Sequence, residues 1–411
     1  MVTKTMYQKL ARLAVRRGVN VQKQQPLVIT ASVKDYAFVE MCVEEAYEAG
    51  ASYVTVEWQD ANLRKLDYAY QSMETLQNIP QDVYDRNARL NHDGACFLHI
   101  LSDDPNGMKE VDPEKISAYR MAYSKKMKDL RKYTMNNEGQ WSIVGLPSIG
   151  WAHTVFPDFS EDEAYEKLGD AILMTSRVSE DTDPLENWEK HDAELIAHAK
   201  KLNEYDFAAM HFTSELGTNL TVQLVEDHVW AGGGDTTPKG VYFDPNIPTE
   251  EVFGMPHKDG VNGKVYASKP LSYGGKVIRN FWFEFKDGRV VDYGAEAEKD
   301  TLTKLFSFDE GSRHLGEVAL VPYDSPISQS NILFFNTLYD ENAACHLAFG
   351  ACYPENMKNG VNLSEEELHK RGANDSVQHV DFMFGTREMN VDGITKDGKS
   401  VPVFRHGSFV F

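Results

Sequence analysis

The chain has few cysteines, no compact cysteine cluster and no long apolar run. Cys42, Cys96, Cys345 and Cys352 are scattered over 411 residues, which speaks against a disulfide framework and predicts reduced thiols. No apolar stretch approaches the roughly 20 residues that a membrane-spanning helix needs. The basic N-terminal segment lacks the continuous apolar core of a signal peptide. These absences predict a cytoplasmic protein with no membrane partner.

Basic residues are also scarce. The chain carries 42 Lys and Arg against 63 Asp and Glu, for a formal net charge of −21. Such a charge repels nucleic acid and anionic membranes, and no dense basic run suggests a local exception. The composition, 42% hydrophobic and 26% charged, is that of a globular protein. A chain of this length exceeds what one hydrophobic core usually supports, so two domains are expected.

Strand and helix patterns alternate in the first half. Residues 26–33 form a short apolar run, residues 35–49 have helical periodicity ending at Gly50, and 51–58 read as the next strand. Two more buried strands are predicted at 95–102 and 141–147, separated by a charged helix from about 112 to 133. We therefore expect an N-terminal α/β domain, residues 1–204, with a largely parallel sheet. No glycine fingerprint follows the first strand, which argues against a dinucleotide site there.

The second half is mostly β in character. A charged helical region at 160–204, interrupted near Asp183-Pro184, leads to a predicted domain border near Tyr205. Beyond it, 276–285 and 289–296 flank the turn K-D-G and predict a hairpin. The segment A-G-G-G-D, which begins at Ala231, lacks the rest of a P-loop and predicts a flexible loop. We expect an α+β C-terminal domain, residues 205–411, with a mostly antiparallel sheet that carries the catalytic metal site.

Imidazole and carboxylate side chains form a candidate ligand set in this second half. His379 and Asp381 lie two residues apart in H-V-D-F-M-F-G, a predicted strand, and so project from the same face. The motifs P-T-E-E-V-F, L-G-E-V-A-L-V and D-E-N-A-A-C-H add four more candidates: Glu251, Glu317, Glu341 and His346. Several carboxylates with histidine and no cysteine cluster are typical of catalytic zinc, cobalt or manganese sites.

Simpler interpretations of these residues remain open at this stage. His379 and Asp381 could form a surface ion pair, and Glu317, which enters a buried strand, could pair with Arg313. Acidic residues such as Glu251 that follow a Thr cap also favour a helix N-terminus.

A helix from about Asp340 to Phe349 is expected to carry His346, with Asp340 as its cap and Gly350 at its end. Seven residues separate His346 from Tyr353, which returns Tyr353 to nearly the same helical face. Ordinary packing is the alternative for this pair, and packing is also the better interpretation of Cys345. A serine triad has no support because the sequence contains no G-x-S-x-G.

Electrostatics connects the carboxylates. If the fold gathers Glu251, Glu317, Glu341 and Asp381 within a few ångströms, each pair repels by roughly 4 kcal/mol at an effective dielectric near 20. They could not all ionise without cations. Four carboxylates and two neutral histidines would suit two divalent ions with a bridging hydroxide.

These motifs, in this order, resemble the thermophilic-type dinuclear metallo-aminopeptidases, the aminopeptidase T and aminopeptidase S group. N-I-P-T-E-E-V-F, T-L-Y-D-E-N-A-A-C-H-L-A-F-G-A-C-Y-P and V-D-G-I-T-K-D-G carry the resemblance, which covers nearly the whole chain. It implies metal ligands at Glu251, Glu317, His346, His379 and Asp381. Glu341 becomes a ligand or a neighbour of the ligands, and Tyr353 the active-site tyrosine. Asn219, Gly254 and the Phe-rich C-terminus depart from the family pattern.

The resemblance implies release of N-terminal amino acids from peptides by a hydroxide held between two divalent ions, Co²⁺, Zn²⁺ or Mn²⁺. Glu317 would bridge the ions or take the water proton, and Tyr353 would stabilise the oxyanion or bind a metal. A free substrate amine would set the cleavage position. The resemblance also implies a homodimer with its active sites facing an enclosed cavity. Two alternatives remain: another dinuclear amidohydrolase acting on small amides, and a non-enzymatic binding protein braced by metal.

Overall fold

The structure is a computed structural model that describes residues 2–274 and 276–411. Its helices and strands are numbered along the chain. The α-helices are α1 Lys4–Leu13, α2 Tyr36–Ala49, α3 Ala61–Tyr70, α4 Met73–Gln77, α5 Gln81–His92, α6 Pro113–Lys126, α7 Lys128–Met135, α8 Ile149–Val155, α9 Glu161–Thr175, α10 Pro184–Tyr205, α11 Lys299–Leu305, α12 Pro326–Ser330, α13 Thr337–Asp340 and α14 Glu365–Lys370. The strands are β1 Leu27–Ser32, β2 Val54–Gln59, β3 Cys96–Leu101, β4 Trp141–Gly145, β5 Ala209–Thr213, β6 Asn219–Leu224, β7 Ala231–Gly232, β8 Asp235–Thr236, β9 Tyr242–Phe243, β10 Asn246–Ile247, β11 Val252–Gly254, β12 Pro256–Tyr266, β13 Leu271–Tyr273, β14 Lys276–Lys286, β15 Arg289–Ala297, β16 Leu315–Leu320, β17 His346–Gly350, β18 His379–Met383, β19 Asn390–Ile394, β20 Ser400–Arg405 and β21 Ser408–Phe409.

The chain divides into two compact units. The first consists of the residues up to Glu189 together with Gly234–Pro248, and the second of Lys190–Gly233 together with Thr249–Phe411. The border near Tyr205 was predicted as a boundary between independently folding domains, and it stays a prediction. Among the described helices, none combines the length and the apolar character that a membrane crossing requires.

The first unit is built on a parallel sheet in the order β10-β4-β3-β1-β2. Strand β1, α2 and β2 form the predicted βαβ unit, and Gly50 ends α2 in the left-handed conformation with φ of 98°, which glycine adopts without steric cost. The charged helix expected from 112 to 133 is two helices, α6 and α7, with the break at Met127. The predicted α/β architecture is otherwise confirmed.

The second unit contains two mostly antiparallel sheets, as predicted. One has the order β18-β17-β16-β11-β7, and the larger one runs from β13 through β14, β12, β6, β5, β19 and β20 to β21, with β15 paired to β14. The predicted hairpin of β14 and β15 is confirmed. Aromatic residues from both sheets form a shared core, in which the ring of Phe283 lies 4.9 Å from the rings of both Phe349 and Phe382. This core fixes one face of the smaller sheet.

Strand β17 occupies the place where the sequence predicted a helix, so the predicted helix from Asp340 to Phe349 is wrong. Its large apolar residues Leu347 and Phe349 enter the core, whereas His346 and Ala348 alternate with them on the opposite face. Asp340 lies at the end of the short helix α13, where its carboxylate accepts backbone N–H bonds from Phe334 and Asn336. The alternation along the strand overrides the helical preference of the preceding alanines.

The glycine-rich segment is partly ordered as an edge strand. Ala231 and Gly232 form β7, which pairs with Val252 and Phe253 of β11, so this part is not the loop that the sequence predicted. It lies beside the chain segment that carries Glu251. A side chain at Gly232 would approach the carbonyl oxygen of Glu251 to 3.0 Å, which explains the small residue there.

Candidate metal centre

Three neighbouring strands present the candidate ligands on one face of the smaller sheet. In the antiparallel register, Glu317 of β16 lies opposite Ala348 of β17, and Ala348 lies opposite Asp381 of β18. His346 is two residues from Ala348, and His379 is two residues from Asp381, so all project to the same side. The opposite face of these strands is the aromatic core. The alternation along the strands therefore places the candidate ligands on one face of the sheet and the core residues on the other.

One end of the cluster joins His379, Asp381 and Glu317. His379 Nε2 lies 3.3 Å from Asp381 Oδ1 and 3.3 Å from Glu317 Oε2. These three side chains offer ligand atoms within 4.8 Å of one another. The sequence-predicted pair His379 and Asp381 is thus brought together with a third carboxylate rather than left on the surface as an ion pair.

The other end joins His346, Glu251 and the same Glu317. His346 Nε2 lies 3.0 Å from Glu251 Oε2 and 3.4 Å from Glu317 Oε1, and these residues form a second group of ligand atoms within 4.8 Å. Glu317 therefore stands between the two groups, with one carboxylate oxygen facing each histidine. Glu317 is thus the residue that the two candidate ligand groups share.

Both histidines are oriented by a backbone carbonyl behind the ring. Nδ1 of His346 lies 3.2 Å from the carbonyl oxygen of Ala344, and Nδ1 of His379 lies 2.7 Å from that of Ala351. A carbonyl oxygen only accepts, so each Nδ1 carries a proton. Burial lowers the pKa of both rings, but contacts with the neighbouring carboxylates outweigh it, raising the pKa of His346 well above its usual value and that of His379 to about 12. Without a cation each Nε2 therefore also carries a proton and faces carboxylate oxygens, and a bound cation would take the place of that proton. Metal-binding histidines characteristically use this arrangement, in which the second nitrogen donates to a backbone carbonyl.

Burial and neighbouring charges shift the pKa values of Glu251 and Glu317 in opposite directions. Burial raises the pKa of Glu251, and the neighbouring carboxylates of Glu317 and Asp381 raise it further against the opposing effect of His346. Burial alone would raise the pKa of Glu317 as well, but contacts with His346 and His379 outweigh it and lower that pKa to about 2. Burial therefore favours the protonated form of Glu251, whereas the histidine contacts keep Glu317 ionised.

Glu341 lies beside the two groups without belonging to either of them among the described residues. It begins a short 3₁₀ turn, Glu341–Ala343. Burial raises its pKa well above the usual value, and Asp381 and Glu251 raise it further. The carboxyl group is therefore close enough to both ends of the cluster for their charges to shift its pKa. This fits both roles that the sequence left open, a metal ligand or a neighbour of the ligands.

Tyr353 lies at the edge of the same cluster. Its residue surface is 41% exposed, yet burial and then the charge of Glu317 raise its pKa well above the usual value. Its ring packs on the imidazole of His379 and against Phe253, with centroid distances of 5.0 and 5.9 Å. The phenol therefore stays protonated and can donate a hydrogen bond. The helical spacing argument that linked it to His346 is wrong, because His346 lies on a strand.

The simpler interpretations of individual residues do not describe the structure. Glu317 pairs with the two histidines, while the guanidinium of Arg313 lies over the ring of Phe306, 5.6 Å from its centroid. Glu251 precedes strand β11 rather than starting a helix. Cys345 packs in the core with its thiol against the backbone of Val321, and burial raises its pKa to about 11, so it is no nucleophile.

The sequence interpretation missed small and aromatic residues that shape the site. Ala348 lies between Glu317 and Asp381 in the strand register, where its methyl group leaves room for an ion. Phe253 contacts Tyr353. The signal for Ala348 was available in the alternation H-L-A-F, but only if that segment is read as a strand.

Buried imidazole and carboxylate ligands without thiolates, around a shared glutamate, define a hydrolytic metalloenzyme type of site. The sequence profile of the thermophilic metalloproteases, M29, matches residues 3–409. The chain belongs to this family of metalloproteases.

Named relatives are similar over nearly their full length. The chain is 48% identical to aminopeptidase AmpS of Bacillus subtilis over 401 residues, 98% of this chain and 97% of that protein. It is 41% identical to aminopeptidase T of Thermus aquaticus over 402 residues, 98% of each chain. The solved structure of wild-type AmpT from Thermus thermophilus superposes with a TM-score of 0.93 at 39% identity and covers 100% of both chains.

Proposed function

We propose that the protein is a metal-dependent aminopeptidase that releases N-terminal amino acids from peptides at a centre for two divalent cations. The observation that carries this proposal is the position of Glu317, whose two oxygens face His346 and His379 at 3.4 and 3.3 Å. Glu251 would complete one ligand group and Asp381 the other. Membership of the M29 family and the aminopeptidase names of its relatives support the reaction class.

When bound, divalent cations in such a site polarise a substrate carbonyl and lower the pKa of a bound water molecule. The protein's own groups would perform the remaining tasks. Glu317, ionised between two histidines, holds the ligand groups together or accepts the proton of the attacking water. Tyr353 keeps its proton because its pKa is raised, and its hydroxyl would donate a hydrogen bond to the developing oxyanion.

The excess of carboxylates also suits the substrate's free α-amine. Glu341 lies within electrostatic reach of Asp381 and Glu251, so an amine that enters the site would find several carboxyl oxygens that can accept its hydrogen bonds. A substrate anchored by its amine presents its first peptide bond at a fixed distance, which restricts cleavage to the first residue. We propose peptides with a free N-terminus as substrates on this basis.

Three finer points belong to the same proposal. The ligand set of imidazoles and carboxylates suits Zn²⁺, Co²⁺ or Mn²⁺, and these are the cations that we propose. We also propose cytoplasmic localisation, and a homodimeric state on the basis of the family resemblance.

Chelation tests the central proposal. The purified protein should hydrolyse aminoacyl-nitroanilides, lose this activity on dialysis against a chelator, and regain it with Co²⁺, Zn²⁺ or Mn²⁺. Metal content should be measured on the same samples by atomic absorption. Full activity in a demonstrably metal-free sample would refute the proposal.

The amidohydrolase alternative predicts a different substrate dependence. If the amine anchors the substrate, an N-acetylated peptide should resist cleavage while its free counterpart is hydrolysed. Equal rates for the two peptides would favour a broader amidohydrolase. A metal-braced binding protein would hydrolyse neither peptide and would not bind a hydroxamate, because a structural ion lacks an open coordination position.

A further inference from the structure

The candidate ligands differ in how the fold holds their backbone. Glu317, His346, His379 and Asp381 lie within strands β16, β17 and β18, so ladder hydrogen bonds fix them. Glu251 precedes β11 in irregular backbone, and Glu341 begins a 3₁₀ turn. The sheet does not hold these two carboxylates. Another interaction has to determine their distance from the histidines.

Asn342 connects the two ligand segments that lie outside the sheet. It directly follows Glu341, and its Oδ1 accepts the backbone N–H of Glu250, the residue before Glu251, at 2.7 Å. Its Nδ2 donates to the carbonyl oxygen of Leu338 at 3.1 Å and lies 3.5 Å from Glu341 Oε1. The Asn342 side chain is fully buried, with 0% exposure.

A second contact holds the Glu251 segment from the other side. His191 of α10 has its Nε2 2.7 Å from the carbonyl oxygen of Thr249 and 3.8 Å from Glu250 Oε2. Thr249 and Glu250 are themselves buried. The peptide group between Thr249 and Glu250 is therefore held on both sides, its carbonyl by His191 and its N–H by Asn342. Among the described residues, Asn342 is the one of these two that also contacts the Glu341 segment.

We propose that Asn342 is a positioning residue that sets Glu251 relative to Glu341 and His346, and thereby selectively controls cation affinity at the Glu251–His346 end of the centre. The inference rests on the proposed dinuclear function. The backbone of the other end, formed by His379, Asp381 and Glu317, is held by strand pairing and does not contact Asn342 through any described hydrogen bond. Loss of Asn342 should leave that end intact.

The physical reason is the cost of an unpaired buried donor. An apolar residue at position 342 leaves the Glu250 N–H without its acceptor, so the segment shifts to find another partner. A small shift of a carboxylate ligand weakens a metal site, and loss of groups that orient ligands typically costs 10–100-fold in metal affinity. Asn342→Leu, which keeps the number and branching of the side-chain heavy atoms, should show this loss without opening a cavity.

The test is a Co²⁺ titration of chelator-treated, full-length protein, followed by visible absorption and calorimetry. Wild type should bind two ions. Asn342→Leu should bind one ion with unchanged affinity and the other about 10–100-fold more weakly. Glu251→Gln provides the reference for loss at the same end, and combining it with Asn342→Leu should produce no further loss at the second ion. A smaller variant, Asn342→Ser, cannot span the gap and should behave like Asn342→Leu.

Asn203→Leu is the matched control. Asn203 also accepts a backbone N–H and donates to a carbonyl oxygen, both of Trp230 at 2.9 Å, but neither residue belongs to a ligand group. This variant should bind both ions as wild type does, and circular dichroism should verify folding of all variants.

The outcomes separate the two proposals. A wild type that binds no Co²⁺ refutes the dinuclear function itself. A wild type that binds two ions, with Asn342→Leu binding both equally well or losing both equally, overturns the positioning role. Failure of both Asn342 variants to fold would also overturn it, because Asn342 would then support the whole fold rather than one end of the site.

Discussion

The ring of Tyr353 lies against the imidazole of His379, with a centroid distance of 5.0 Å and an angle of 55° between the ring planes. A hydroxyl group that could donate a hydrogen bond to the substrate is thus carried by a ring that packs against a candidate metal ligand. The contact explains how a residue outside any strand keeps its place beside the cluster. It also makes the role of the hydroxyl separable from that of the ring.

Tyr353→Phe retains the ring and removes only the hydroxyl. If the hydroxyl stabilises the oxyanion, kcat should fall about 10²–10³-fold while KM and metal content stay nearly constant. His346→Ala is the reference for a lost ligand and should reduce metal content and rate together. Kinetics and metal analysis on both variants check this prediction, and unchanged kcat in Tyr353→Phe would leave the tyrosine a packing role only.

Glu317→Gln should affect both ends of the centre, because Glu317 faces both histidines. We expect the loss of at least about 10²-fold in affinity for each ion, since even residues that only orient ligands cost up to that amount. Asp381→Asn should weaken one ion only. Equilibrium dialysis with Zn²⁺ measures both, and loss of a single ion in Glu317→Gln would contradict a shared position.

Ala348 and Leu347 allow the two faces of β17 to be tested separately. Ala348→Leu should crowd the space between Glu317 and Asp381, lower metal affinity at least about 10-fold, and cost about 1–3 kcal/mol of stability. Leu347→Ala, on the core face, should cost about 2–5 kcal/mol yet keep the metal affinity of the folded protein. Urea unfolding and metal titration measure the two effects; equal affinity losses in both variants would disprove the division of faces.

Asp235 of the first unit predicts a pH-dependent stability. Burial raises its pKa to about 6, although a hydrogen bond with Asn137 opposes the rise, whereas an unfolded chain titrates near about 3.9. The protonated form therefore stabilises the fold at low pH, and this contribution is lost as pH rises from about 4 to about 6. Asp235→Asn should exceed wild type in unfolding free energy by up to about 3 kcal/mol at about pH 7, with the difference vanishing below about pH 4. Denaturant unfolding across this range checks it; a pH-independent difference would contradict the assignment.

Local patterns predicted much of the fold. The βαβ unit ending at Gly50 and the hairpin of β14 and β15 are confirmed because hydrophobic period and turn residues agree there. The strand carrying His379 and Asp381 was predicted for the same reason. The segment of His346 was not, because the alanines before it favour a helix locally, whereas pairing with β16 and β18 makes it a strand.

The relations within the site were beyond the reach of sequence patterns. That Glu317 divides its oxygens between two histidines follows from the register of three strands, and the register depends on contacts between distant parts of the chain. The hydrogen bond from Glu250 to Asn342 is equally non-local. Motif resemblance named the residues, but only the fold shows which of them face each other.

The parallel sheet of the first unit also has a consequence for synthesis on the ribosome. Its edge strand β10, residues Asn246–Ile247, pairs with β4 at Ile143 and Val144. In the sequence, helices α8 to α10 and strands β5 to β9 lie between these two strands. Until residue 247 has emerged, the buried strand β4 has an unpaired edge, and such edges invite association with other chains. A nascent chain of this protein therefore depends on continued elongation, or on chaperones, to cover that edge.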